Sequence, residues 1–185
     1  MSSGITLDEL LPLDTRALAT VLAEGAPVDP DVLADHDYHG VSLGLSQVVE
    51  RLTWKTFKKV FHHDPERGVL RGWNQRVEQH GARGPFVDRQ RRGRPITFGH
   101  FHVVPPEGVP AGCDRGLLID YGAGSNHPLD PVGRLRDPIV SLDGGASHRL
   151  LGWTYVLLGK LRIPTPSYFY LERGAPLRDP VPPPH

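Results

Sequence analysis

The chain has 185 residues, which is enough for one domain with its own hydrophobic core and short for two. It carries 21 Lys plus Arg and 21 Asp plus Glu, so the formal net charge is zero. A balanced chain has no global field to hold it on a phosphate backbone or an anionic membrane. We therefore expect neither nucleic acid nor a membrane among its partners.

The cysteine content and the beginning of the chain indicate a reducing compartment. Cys113 is the only cysteine, so the chain can form neither an internal disulfide nor a cysteine-based zinc site. Residues 1–34 lack the basic start and unbroken apolar run of a signal peptide, and no apolar stretch approaches the roughly 20 residues that span a bilayer. We expect a cytoplasmic protein.

Helical signals are confined to residues 5–35. Asp14 precedes a run of good helix formers that stops at Gly25, and Pro30 follows Asp29 at the start of a second short helix. These patterns predict a short helical N-terminal cap, packed against an end of the structure that follows.

Residues 38–173 are predicted to form strands. The chain contains 21 Gly and 19 Pro, a content that suits many short strands joined by turns. Because no helices are predicted between the strands, we expect antiparallel pairing in a barrel or a sandwich, and we favour the barrel. Hairpin loops are predicted at 64–68 and 142–146. The candidate strands, bounded by Gly, Pro, Asn or Asp, span 53–61, 69–79, 96–104, 116–121, 139–142, 149–158 and 167–173.

The domain organisation follows from these elements. Residues 1–173 are predicted to be one mainly β domain, an antiparallel barrel with the helical cap at 5–35. Residues 174–185 are rich in proline and are predicted to form an extended, loosely attached tail.

Strand alternation divides the candidate pocket residues between two faces. Asn74 and Arg76 share one face of their strand, and Trp73 lies on the other. Apolar walls with a few convergent polar groups are the usual form of a small-ligand site. Alternation leaves open which face turns inward, so a packed interior with a solvated exterior is the alternative. The predicted ligand-binding residues are Trp54, Lys55, Trp73, Asn74, Arg76, Trp153, Tyr155 and Tyr168.

Lysines share a strand face with aromatic residues between 54 and 61. Lys55 and Lys59 alternate with Phe57 and Phe61 on one face. An ammonium group on that face would reach an anionic head group, or its stem would lie along the surface. We expect Lys55 or Arg76 to meet the polar head of a ligand.

Two histidines at i and i+2 are the most specific local signal for chemistry. His100 and His102 should present both imidazoles on one face of a strand. In an enzyme, either histidine would move a proton with Asp120 as its partner, while Asn74 or Arg76 would stabilise developing negative charge. The predicted catalytic residues are therefore His100, His102 and Asp120.

A metal site is the alternative interpretation of the same histidines. Together with Glu107, the spacing His-x-His-x4-Glu resembles the first half of the cupin metal motif. However, Pro105 and Pro106 interrupt the strand that would carry Glu107, and no later segment has the cupin setting of a third histidine. We predict no metal and no other cofactor.

The order of several segments resembles the small bacterial GXWXG-type proteins of unknown function. The segments are Leu-Thr-Trp-Lys-Thr-Phe at 52–57, Arg-Asp-Pro-Ile-Val at 136–140, Leu-Gly at 151–152 and Pro-Ser-Tyr-Phe-Tyr-Leu-Glu-Arg at 166–173. The defining Gly-x-Trp-x-Gly is absent, and residues 38–44 stand where it would lie. The resemblance implies a calycin, a lipocalin-like barrel with one closed end and an apolar cavity, and it implies no activity.

The sequence therefore predicts a calycin-like barrel that binds a small apolar or amphipathic molecule. One version is a carrier, and another is an isomerase, cyclase or hydratase of a secondary metabolite that uses a histidine as acid and base. The alternative from a different class is a cupin-like metalloenzyme using His100 and His102. The sequence does not decide whether the protein forms a homodimer.

Overall fold

The computed structural model describes residues 4–44 and 55–184. Its helices are α1 (Leu7–Leu10), α2 (Thr15–Glu24) and α3 (Pro30–Leu33), and 3₁₀ turns lie at Tyr121–Ala123 and Pro131–Arg134. The strands are β1 (His36–Leu43), β2 (Thr56–Asp64), β3 (Val69–Arg76), β4 (Gln90–Arg91), β5 (Arg94–Pro95), β6 (Thr97–Val104), β7 (Leu117–Asp120), β8 (Leu135–Ser141), β9 (Arg149–Leu158) and β10 (Leu161–Pro176).

Helices α2 and α3 of the N-terminal cap begin where the sequence predicts, whereas α1 is not among the predicted helices. The Asp14 side chain accepts a hydrogen bond from the backbone N–H of Ala17 at 2.8 Å, and Gly25 ends α2. Asp29 caps α3 in the same way, with Pro30 in its first turn. In the part of the chain that the structure describes, no helix is long and apolar enough to cross a membrane.

Eight strands close into an antiparallel barrel in the order β1-β10-β9-β8-β7-β6-β3-β2, while β4 and β5 form a separate small hairpin. This confirms the predicted fold class, a mainly β, calycin-like barrel with a short helical cap. The predicted hairpin loops join β2 to β3 and β8 to β9.

Strand β1 was not among the candidate strands, although it closes the barrel between β2 and β10. Its sequence, His-Asp-Tyr-His-Gly-Val-Ser-Leu, carries no run of apolar residues, and its place is fixed by pairing with two distant strands. Strand β10 is longer than predicted and continues to Pro176, three residues beyond the expected boundary at 173.

The barrel interior is packed with apolar side chains. One cluster of buried residues includes side chains from seven strands of the barrel and from the segment around α3, which only the interior of a closed sheet allows. Glycines on inward positions make room for rings from neighbouring strands. An ideal Cβ on Gly72 would lie 2.5 Å from the Phe101 ring, and one on Gly152 would lie 2.1 Å from the Phe169 ring. The cluster contains Val28, Leu33, Tyr38, Phe61, Phe101, Ile119, Tyr121, Ile139, Leu150, Phe169 and Leu171.

A second apolar cluster lies between the outer face of the barrel and the N-terminal helices. Leu10, Leu18 and Leu22 of α1 and α2 pack there against residues of β8, β9 and β10. The cap therefore covers the outer side of these strands, while the segment around α3 reaches the interior cluster.

Candidate ligand-binding site

Three of the predicted ligand-binding residues meet in the apolar layer beneath the helices. The Trp153 ring centroid lies 5.5 Å from that of Tyr155 and 6.3 Å from that of Tyr168. All three belong to the cluster that includes Leu18 and Leu22 of α2. The indole N–H of Trp153 donates to the Thr165 carbonyl at 2.8 Å. These contacts account for the three aromatic residues as part of the hydrophobic core.

A bulge in β6 decides where His100 and His102 lie. The register pairs Asn74 with Phe98 and Gly72 with Phe101, and Gly99 between them has a φ of +53°. The extra residue puts both phenylalanines at inward positions. The two histidines lie on the outer face, where alternation alone would have grouped them with Phe98.

His100 packs on the outer face against Trp73, with 6.2 Å between the ring centroids. It is 8 % exposed, and its Nδ1 has no hydrogen-bond partner among the described residues. Burial, reinforced by the charge of Arg71, lowers the pKa of His100 to about 4. The imidazole is therefore neutral at pH 7.

His102 and Asp120 are cross-strand partners on β6 and β7. Burial lowers the pKa of His102, while the charge of Asp120 opposes that shift. The Asp120 carboxylate also accepts hydrogen bonds from the backbone N–H groups of Gly122 and Ala123 and lies 3.0 Å from Nη2 of Arg136. The structure thus brings two predicted catalytic residues together, and it gives Asp120 the contacts of a helix cap.

The other predicted residues are dispersed. Asn74 lies inside the barrel, and Arg76 at the end of β3 has its guanidinium 5.8 Å from the Phe98 ring centroid. Lys55 immediately precedes β2. Trp54 lies outside the described residues.

A polar cluster that the sequence did not reveal occupies the barrel interior. Lys59 is 2 % exposed, and its Nζ donates to Asn74 Oδ1 at 2.9 Å, to Asp137 Oδ2 at 3.2 Å and to the Tyr121 hydroxyl. The Tyr121 hydroxyl donates to Asp137 Oδ2 at 2.9 Å. Alternation placed Lys59 on a face with Phe57 and Phe61, but nothing local linked it to Asp137, 78 positions away.

Aromatic rings surround the Lys59 ammonium group. Its Nζ lies between 5.0 and 5.6 Å from the ring centroids of Phe57, Phe101, Tyr121 and Phe169. Burial lowers the pKa of Lys59 and raises that of Tyr121 well above its ordinary value. The oxygens of Asn74, Tyr121 and Asp137 accept one hydrogen bond for each of the three N–H groups of a charged Lys59. The cluster is therefore arranged to hold the Lys59 ammonium charge inside the barrel.

A cavity of about 760 Å³ lies on the opposite, outer side of β2 and β3. The C-terminal residues 175–184, here termed the tail segment, form one wall of this tail cavity. Such a volume suits a small organic ligand. Besides Asp37, Asp88 and Gly93, the lining residues are Val60, Trp73, Gln75, Arg94, Pro95 and Thr97 on the barrel side and 175–182 on the tail side.

Trp73 is the predicted ligand-binding residue that lies in this cavity. Its side chain is 1 % exposed, and its indole Nε1 has no hydrogen-bond partner within residues 4–44 and 55–184. An unpaired buried donor costs about 1–3 kcal/mol, so an acceptor that reached it would recover that free energy. The Arg71 guanidinium lies 5.5 Å from the ring centroid.

The predicted alternative of a metal site finds no ligand set in the described part of the chain. Among those residues, no three His, Cys, Asp or Glu side chains come together in a group that could hold a metal ion. Glu107 lines a different groove, of about 390 Å³, with Asp120, Arg136 and Tyr155. Comparison with known proteins adds no family: no protein-family model matches the chain, and no curated protein matches its sequence.

Proposed function

We propose that the protein binds a small apolar or amphipathic molecule in the tail cavity, with Trp73 as the main contact. The observation that supports this proposal is a fully buried indole with an unpaired N–H in the wall of a cavity of about 760 Å³. Buried donors without a hydrogen-bond partner are uncommon in folded proteins, and an acceptor on a ligand in this cavity would satisfy the Trp73 N–H. The likeness to GXWXG-type calycins is part of the same proposal.

The cavity combines charged groups with apolar surface, which favours an amphipathic ligand. Lys58 Nζ lies 3.3 Å from Asp37 and 2.9 Å from Asp88, so both of these lining carboxylates are already paired. Exposed Arg94, Arg178 and Asp179 also line the cavity, and Val60 and Leu177 supply apolar surface on opposite sides. A ligand with an apolar body and one hydrogen-bond acceptor matches this surface.

Contacts on the outer face favour a carrier over an acid–base enzyme. The neutral His100 lies beside Trp73, but its predicted partner Asp120 faces His102 instead. Asp120 is engaged by Arg136 and by two backbone N–H groups. His100 Nδ1 has no hydrogen-bond partner among the described residues, so no carboxylate orients this imidazole for proton transfer at that atom.

A fluorescent amphipathic carboxylate, 11-(dansylamino)undecanoic acid, tests the proposal. We expect saturable binding to one site, and a loss of about fivefold to tenfold in affinity for Trp73→Phe, which keeps an aromatic ring and removes the N–H donor. Trp153→Phe is the matched control because its N–H is paired with Thr165 in another cluster. Equal affinity of the two variants, or no binding to the wild-type protein, would contradict the proposal.

A further inference from the structure

The tail segment is attached to the barrel at defined points. The backbone N–H of Leu177 donates to the Asp35 carbonyl at 2.8 Å, and Arg71 Nη1 donates to the Val181 carbonyl at 2.8 Å. Four of the five residues at 180–184 are proline. Proline fixes φ and has no N–H, so this stretch favours the polyproline II conformation, which leaves every carbonyl free for an outside donor.

The arginine that contacts the tail segment is also held by a carboxylate of the barrel. Arg71 is 6 % exposed, and its Nε donates to Asp64 Oδ2 at 2.8 Å. Asp64 also accepts from the side chain and the backbone of Arg67. Although burial raises the pKa of Asp64, the hydrogen bonds from Arg71 and Arg67 dominate and lower it to about 2. The carboxylate therefore stays charged and fixes Arg71 in place.

Trp73 completes a surface with the chemistry of a proline-binding groove. The indole lies next to Arg71, opposite Val60 across β2 and β3, and shares the tail cavity with Pro180, Val181 and Pro182. Aromatic grooves recognise polyproline II chains through the ring faces of proline and through donors to backbone carbonyls. Arg71 already supplies one such donor, and the Trp73 N–H is a second donor that has no partner in the described residues.

We propose that the groove formed by Val60, Arg71 and Trp73 is a docking site for a proline-rich polypeptide, with residues 177–184 as its resident occupant. Another proline-rich chain with the same carbonyl pattern takes the place of this segment when it is released. The inference goes beyond binding of a small molecule, because the ligand here is an extended chain that Arg71 holds through a backbone carbonyl. A covalently attached occupant has an effective concentration near the millimolar range, so it suppresses weaker ligands in the intact protein.

The test uses the full-length chain and a labelled peptide with the sequence of residues 175–184. In one variant, the prolines at 180, 182, 183 and 184 are replaced by serine to weaken the resident segment. We expect this variant to bind the peptide at least about tenfold more tightly than the wild-type chain, because the attached competitor is lost. The peptide with serine in place of its prolines should not bind, and Arg71→Lys in the tail variant should weaken binding about fivefold, because the guanidinium donor to the Val181 carbonyl is lost.

Cooperative urea unfolding of each variant establishes that the barrel is folded. The proposal is overturned if the folded tail variant does not bind the peptide, or binds it no better than the wild-type chain does. It is also overturned if the serine peptide binds equally well. Titration of the wild-type chain, which keeps both walls of the tail cavity, with the dansyl probe separates the two proposals. Peptide binding to the tail variant without probe binding to the wild-type chain contradicts only the small-molecule function, and the reverse contradicts only this inference.

Discussion

Lys59→Met offers the most direct test of the charge inside the barrel. Methionine has a similar length and fills the same space, so the substitution removes the ammonium group and little packing volume. It leaves the Asp137 carboxylate buried and without its cation, since Lys59 Nζ lies 3.2 Å from Oδ2 and both side chains are almost fully buried. We expect the free energy of unfolding to fall by about 3–5 kcal/mol.

The double variant Lys59→Met/Asp137→Asn separates the charge from the hydrogen bonds. Asp137→Asn alone should also be costly, because it leaves the ammonium group with no counter-charge. In the double variant no charge remains, and the Tyr121 hydroxyl can still donate to the amide oxygen as it now donates to the carboxylate. The remaining loss, of the hydrogen bond to Asn74, should cost about 1–3 kcal/mol. The pair should therefore show a coupling free energy of at least about 2 kcal/mol.

Urea unfolding, monitored by tryptophan fluorescence and by circular dichroism, gives the free energy of unfolding of the wild type, the two single variants and the double variant. Equal m-values would show that the variants unfold from comparably compact states. If Lys59→Met costs less than about 1 kcal/mol, or if the two single costs simply add in the double variant, then the interior is not organised around this ion pair.

Other substitutions probe the outer face, the interior spacing and the cap. The pKa of folded His100, about 4, lies below its ordinary value of 6.5, so this residue contributes stability above pH 6.5 that is lost as the pH falls toward 4. His100→Leu should be neutral or stabilising at pH 7. Between pH 6.5 and pH 4, its free energy of unfolding should fall by about 1–2 kcal/mol less than that of the wild-type protein, measured by urea unfolding at several pH values. Gly152→Ala should destabilise by about 1–3 kcal/mol because its methyl group meets the Phe169 ring, whereas Gly133→Ala, with open space at its Cβ, should not; comparison of the two thermal midpoints decides this. Asp14→Ala should cost about 1 kcal/mol in the same unfolding assay, and an unchanged midpoint would contradict the role of its cap.

Features set by neighbours in the sequence could be predicted from the sequence. Asp14 and Asp29 cap their helices because the donors they bind are two or three residues away. The strand from 149 to 158 was located to the residue because its apolar run is bounded by turn residues. The antiparallel barrel follows from many short strands with no helices between them.

Part of the candidate site was also visible in the sequence. Trp73 was expected to contact a ligand as a large aromatic residue on a short strand, and the structure places it in the tail cavity. The aromatic residues Trp153, Tyr155 and Tyr168 carry the same signal, yet they belong to the apolar cluster that includes Leu18 and Leu22 of α2. Local pattern does not distinguish a ring that faces a ligand from a ring that faces a helix.

Only the closed barrel decided which side of each strand turns inward. A single bulge at Gly99 separates Phe98 from the two histidines, and no simple alternation encodes that change. The interior ion pair joins positions 78 residues apart, and the contact between Arg71 and the tail joins positions 110 apart. The sequence determines propensities over a few residues, whereas these contacts exist only after eight strands have closed and brought distant side chains into a common interior or a common groove.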